Sequence, residues 1–128
     1  MQKEGFVSLW LGNINSSKEL EDLLKISYTE DGDFVPSKFA HSFDIERYDD
    51  ATREAEFYDD ADNTLRGLLE DFSYDDIIIP KFSLVCGENL NSHYNLVILL
   101  YNFKYEGVKQ KTNVGTSNLE FIGSVEYM

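Results

Sequence analysis

The residues Leu96 to Leu100 form an unbroken aliphatic run, and Tyr101, Phe103 and Tyr105 then alternate with Asn102 and Lys104. Successive side chains of a strand point to opposite faces, so such a run needs apolar cover on both sides. It predicts a long central strand, covered on both faces over its first half. Leu119, Phe121, Gly123, Val125 and Tyr127 alternate with Glu120, Ile122, Ser124 and Glu126, which predicts the last strand. Glu106 to Asn118 reads as a polar connection between the two. Strands adjacent in sequence most simply form an antiparallel hairpin, and that pairing is expected here.

Phe6 to Leu11 predicts a first strand, with Val7, Leu9 and Leu11 alternating against Ser8 and Trp10. Trp10 is expected as core or sheet cover rather than as a binding residue. Ser16 with Glu19 three residues on is a capping box, followed by Leu20, Leu23 and Leu24 on one face of a helix to about Lys25. Ile26-Ser27-Tyr28 fits a short strand, and Glu30-Asp31-Gly32-Asp33 a turn. Pro36 opens a second helix with Phe39 and Phe43 on its buried side. Leu65, Leu68, Leu69 and Phe72 repeat at helical spacing, and Ser73 to Asp76 marks another helix start. Ile77-Ile78-Ile79-Pro80 is ambiguous, because an interior proline removes a hydrogen bond and crowds the preceding turn. A short helix is expected there. The expected architecture is α+β, one domain over residues 1–128, with helices packed against a mainly antiparallel sheet. Its expected core includes Leu9, Leu20, Leu23, Leu65, Leu68, Leu69, Val97, Leu99, Phe121 and Val125.

A length of 128 residues with 42% hydrophobic and 14% aromatic content suits one folded domain, not a disordered acidic chain. There is no apolar run of about 18 residues, so no membrane span is expected. The N-terminus lacks the apolar core and small-residue cleavage site of a signal peptide, and the one cysteine excludes an internal disulfide. Together these point to the cytoplasm.

The net charge of −13 is concentrated. Residues 41–76 hold thirteen acids against three bases, whereas residues 77–128 hold four of each. Within this, Ile45 to Asp62 has eight carboxylates in eighteen residues. Such a field repels nucleic acid and anionic membrane and attracts a cationic partner. A merely solubilising surface is the plainer explanation, but it does not require the clustering.

Sites for catalysis or cofactors are not indicated. Asp60 and Asp62 have calcium-loop spacing, but Thr64 follows and no glycine sits at the turn. His41, His93 and Cys86 lie at spacings unrelated to zinc binding, and a Cys86–His93 nucleophile pair has no motif behind it. No phosphate loop occurs. Asp49, Glu54 and Glu56 qualify as paired carboxylates only by abundance. No catalytic, cofactor or metal residues are therefore assigned. Arg53 is expected to pair with Asp49 or Asp50.

Ser8-Leu9-Trp10-Leu11-Gly12-Asn13, Glu30-Asp31-Gly32-Asp33 with Pro36-Ser37 and Phe39, Tyr48-Asp49-Asp50 running into Arg53-Glu54-Ala55-Glu56-Phe57, and the closing Leu119 to Tyr127 strand together resemble the immunity protein 22 family. These are small bacterial proteins of polymorphic toxin systems, and the resemblance spans nearly the whole chain. It implies cytoplasmic protection of a toxin producer by binding a cognate toxin, with no catalytic residues.

The composition leads to a compatible reading. Toxins that attack nucleic acid are cationic where they grip phosphate, and an acidic inhibitor can occupy that surface. The residues expected to meet such a basic, nuclease-type toxin are Asp49, Asp50, Glu54, Glu56, Asp59, Asp60 and Asp62, joined by Asp31 and Asp33. Tyr48, Phe57 and Tyr58 lie among them as anchors, since buried aromatics carry much of the energy of tight interfaces. Two other classes stand beside this one: an acidic adaptor for a basic cellular protein, and a small carboxylate-dependent enzyme.

Overall fold

The structure is a computed structural model that describes all residues from 1 to 128. Five strands form an antiparallel sheet: β1 (Gln2–Asn13), β4 (Arg53–Thr64), β5 (Asn89–Phe103), β6 (Lys111–Val114) and β7 (Ser117–Glu126). Their order is β4-β5-β1-β7-β6. A separate hairpin pairs β2 (Ser27–Tyr28) with β3 (Phe34–Val35). Four helices complete the chain: α1 (Ser17–Leu24), α2 (Lys38–Ser42), α3 (Leu65–Leu69) and α4 (Asp75–Cys86). The α+β architecture predicted from sequence is the observed one.

The aliphatic run explains the layering. Leu96, Ile98 and Leu100 face one core with Trp10, Leu23, Phe39 and Phe43, beneath α1 and α2. Val97, Leu99 and Tyr101 face another with Leu65, Leu68, Ile78 and Phe82, beneath α3 and α4. Each face of the run thus receives its own pair of helices. Trp10 is fully buried, ringed by Phe39, Phe43, Tyr105 and Phe121 with centroids 5.0 to 5.8 Å away.

The expected hairpin of β5 with β7 does not form. β1 lies between them, with Leu9 opposite Leu99 on one side and Gly123 on the other. Val7 to Leu11 is buried throughout, and a strand buried on both faces satisfies its backbone best with a neighbour on each edge. The local hairpin is β6 with β7, so the supposed polar connection contains a strand.

The alternation in β7 also does not mark a single face. The β1–β7 register slips between Leu9 and Trp10. Leu119 and Phe121 therefore join the α1/α2 core, while Ile122, Val125 and Tyr127 join the other. An extra residue in one strand has this effect on facing. Seven of the expected core residues are buried, whereas Leu20, Phe121 and Val125 are only partly so.

The helix signals hold with shifted boundaries. Ser16 caps α1, accepting from the Glu19 N–H at 3.2 Å, and Glu19 returns to the Asn15 N–H at 2.6 Å rather than to the cap residue. Ser37 caps α2 by accepting from the Ala40 N–H, so Pro36 lies just outside that helix. α3 stops at Leu69 because the chain turns through Asp71 at φ 75°, and Phe72 packs from beyond the helix end. α4 continues past Pro80 to Cys86. Pro80 and Asp76 are exposed, so the carbonyl that loses its intrahelical donor faces water.

Candidate interaction surface

The acidic stretch is ordered, and most of it is a strand at the edge of the sheet. Sequence reading expected an ordered surface but not β4. Arg53 to Phe57 pair with Leu100 to Leu96 in continuous register. Strand alternation then sends Arg53, Ala55 and Phe57 toward the α1/α2 side, and Glu54, Glu56 and Tyr58 toward the α3/α4 side. The register shifts between Phe57 and Asp62, and Asp59 and Asp60 lie exposed in that interval.

The predicted interaction residues fall into three groups. Asp50, Glu56, Asp59 and Asp60 are exposed, as is Asp49, whose carboxylate also caps a 3-10 turn over Asp50–Thr52 by accepting from the Ala51 N–H at 2.9 Å. Glu54 and Asp62 are engaged within the fold. Glu54 accepts from the Ser73 N–H and hydroxyl. Asp62 accepts from the Thr64 N–H at 2.8 Å and hydroxyl at 2.9 Å, just ahead of α3. Those bonds hold the Asp62 carboxyl below the usual carboxylate range, the backbone N–H contributing most. Asp31 and Asp33 form a third, separate group at the exposed tip of the β2–β3 hairpin, where Thr29 and Asp33 close the turn.

The two tyrosines are anchored inward. The Tyr48 hydroxyl accepts from Arg53 at 3.1 Å, and its ring packs edge-on against Phe39. Tyr58 donates to the Leu68 carbonyl at 2.8 Å; burial, then the charges of Glu56 and Asp71, push its hydroxyl pKa up. Arg53 does not pair with Asp49 or Asp50. Its guanidinium instead donates to Tyr48 and, at 3.5 Å, to the Leu24 carbonyl at the end of α1. The only ion pairs in the chain are Lys109–Asp44 and Lys111–Glu120.

Folding also recruits acids that the sequence reading left out. Glu21 and Asp22 of α1 and Glu70 and Asp71 after α3 flank β4, and with Glu54 and Glu56 they line a groove of about 1120 Å³. Glu21 and Asp22 are visible in sequence only as the polar face of an amphipathic helix, with nothing to say what that face adjoins. The two other candidate centres are not assembled. Cys86 donates weakly to the Phe82 carbonyl, and burial raises its thiol pKa, the reverse of nucleophile activation. His93 and His41 are exposed on β5 and α2. No three His, Cys, Asp or Glu side chains converge in a metal-binding group, and no helix is long and apolar enough to cross a membrane.

Fold and surface together define a small acidic α+β protein whose open sheet edge is lined with unneutralised carboxylates. A family model described as Immunity protein 22 matches residues 7–128, and the chain belongs to that family. Neither a curated protein nor a solved structure matches it.

Proposed function

We propose that this chain binds and neutralises a cognate bacterial toxin, and that the acidic surface around β4 meets a basic, nuclease-type effector domain. Membership of the family supports the general role. The finer reading is carried by one observation: no acid from Glu46 to Asp62 is in an ion pair. Opposed charges at this spacing would ordinarily lower the repulsion among neighbouring carboxylates. Leaving them open keeps a field that draws a cationic surface in and speeds encounter. Residues 1–128 act as one binding unit in the cytoplasm, where nucleic acid is exposed to such a toxin. The chain itself performs no chemistry in this role.

The test is co-expression with nuclease-type toxin effector domains, starting with any that is found encoded next to this chain's gene. Restored growth and a stable complex with inhibited nuclease activity are expected. A complex that leaves activity intact would replace inhibition with the acidic-adaptor reading, and absence of a complex would overturn both.

A further inference from the structure

We propose that the free edge of β4 is itself the docking site, and that the partner adds an extended basic segment there as a further strand of the sheet. This rests on the reading of the chain as an inhibitor of a basic protein and specifies how its surface is used.

The first observation is the state of the edge. β4 ends the sheet, and over Arg53–Phe57 its pairing with β5 is regular. Alternate residues of such a strand direct their N–H and C=O groups away from the sheet, unpaired. Edges are ordinarily blunted by shortness, charged side chains (lysine above all), proline or a bulge. The opposite edge fits that pattern: β6 has four residues and begins with Lys111. β4 has twelve residues and contains neither lysine nor proline, its irregularity starts only after Phe57, and the charges that guard its regular part, Glu54 and Glu56, repel an acidic strand but not a basic one.

The second observation is the groove. α1 forms one bank of it and the Glu70–Ser73 turn the other, with β4 between them. A strand laid along β4 would send alternate side chains toward the two banks. Each bank offers the same chemistry, carboxylates beside apolar carbon: Glu21 and Asp22 near Leu24, and Glu70 and Asp71 near Phe72. Of the two cations in the lining, Arg53 is turned back onto Tyr48 and Leu24, which leaves Lys25 at the end of α1.

Charge then selects the occupant. Pairing β4 with β4 of a second copy would set Glu54 and Glu56 against their own kind, on chains of net charge −13 each. Like charges across a strand pair are destabilising. A strand bearing lysine or arginine is complementary on both banks, with main-chain bonds supplying affinity and the side chains specificity.

The probe is a short synthetic peptide of alternating lysine and valine, added to the full-length protein. Its control has the same sequence, N-methylated at every residue so that neither edge can pair. Amide hydrogen exchange is followed by NMR. The expected result is that the first peptide slows outward amides within Arg53–Phe57 about tenfold or more at saturation, and that the control does not. Equal binding of both peptides, or binding without β4 protection, would reduce the effect to charge alone and overturn the proposal. No binding by either peptide would also overturn it. Protection of these amides in the protein alone, in a concentration-dependent dimer, would make the occupant a second copy. Toxin inhibition in the co-expression assay is read separately. The neutralising role can therefore survive while the strand-addition mode fails, and the reverse holds too.

Discussion

Glu54, the second residue of the acidic edge strand β4, accepts hydrogen bonds from both the backbone N–H and the hydroxyl of Ser73. The contact fastens the turn between α3 and α4 to the sheet edge. One of the acids expected to face a partner is thus also holding a bank of the groove in place. The Tyr101 hydroxyl donates to the Ser73 carbonyl from the sheet, so the turn is held from two strands.

Glu54→Ala should therefore lower stability by about 1–2 kcal/mol, the scale of losing charge-assisted hydrogen bonds at a partly exposed site. Glu56→Ala, with no bond to lose, should stay within about 0.5 kcal/mol. Denaturant unfolding followed by fluorescence of Trp10, the only tryptophan and fully buried, distinguishes the two. Equal effects would mean that the Glu54–Ser73 contact contributes nothing.

Asparagine at Asp49, Asp50, Asp59 and Asp60 together should slow association with the effector domain and flatten its salt dependence. The screening length falls from about 10 Å at 0.1 M salt to about 3 Å at 1 M, so steering by exposed acids fades over that range. Binding kinetics at the two salt concentrations provide the check. Unchanged affinity with an unchanged salt slope would move the interface to the β6 edge or the Glu106–Asn118 segment.

Leu68→Ala and Leu99→Ala should each cost about 2–5 kcal/mol, since both side chains are fully buried in the α3/α4 core. Leu84→Ala should be nearly neutral, because Leu84 is 89% exposed on α4. The same unfolding curves separate these outcomes. A large loss at Leu84 would show that the outer face of α4 is covered in solution.

Gly12→Ala should destabilise the centre of the sheet. A Cβ there would overlap the carbonyl of Asn118 on β7, which is backbone and cannot swing aside. Overpacking of this kind costs about 1–3 kcal/mol. A variant as stable as the parent would mean that β1 and β7 separate more easily than their pairing suggests.

Stability should fall toward both pH extremes. Glu19 and Asp62 are held below the usual carboxylate range, chiefly by the backbone N–H groups of Asn15 and Thr64 respectively. Their contribution is present above about pH 4 and is lost as pH falls through the lowered folded values. Tyr94 behaves in the opposite sense. Burial, then its hydrogen bond to Glu120, pushes its pKa up to about 12. That contribution is complete below about pH 10 and is lost as pH rises through 12. Tyrosinate absorbance during alkaline titration should show a late fraction that coincides with unfolding. Titration of all eight tyrosines together near pH 10 in a folded protein would contradict this.

Short-range patterns in the chain were sufficient for several features. The Leu96–Leu100 run requires a strand covered on both faces, because side chains alternate whatever surrounds them. Ser16 marks a helix start because a cap satisfies N–H groups only a few residues away. The clustering of acids and the family resemblance are properties of order along the chain. Other features depend on residues far apart. Placing β1 between β5 and β7 depends on which buried strand wins each edge, a choice among non-local pairings. The slip at Leu9–Trp10 redistributes β7 between two cores, which no alternation in β7 alone can signal. Strand character from Arg53 to Phe57 comes from pairing with β5, since a run of carboxylates has little strand propensity of its own. The groove likewise exists only because α1 and the turn after α3 converge on that edge, bringing Glu21 and Asp22 within reach of Glu70 and Asp71 across about fifty residues of chain.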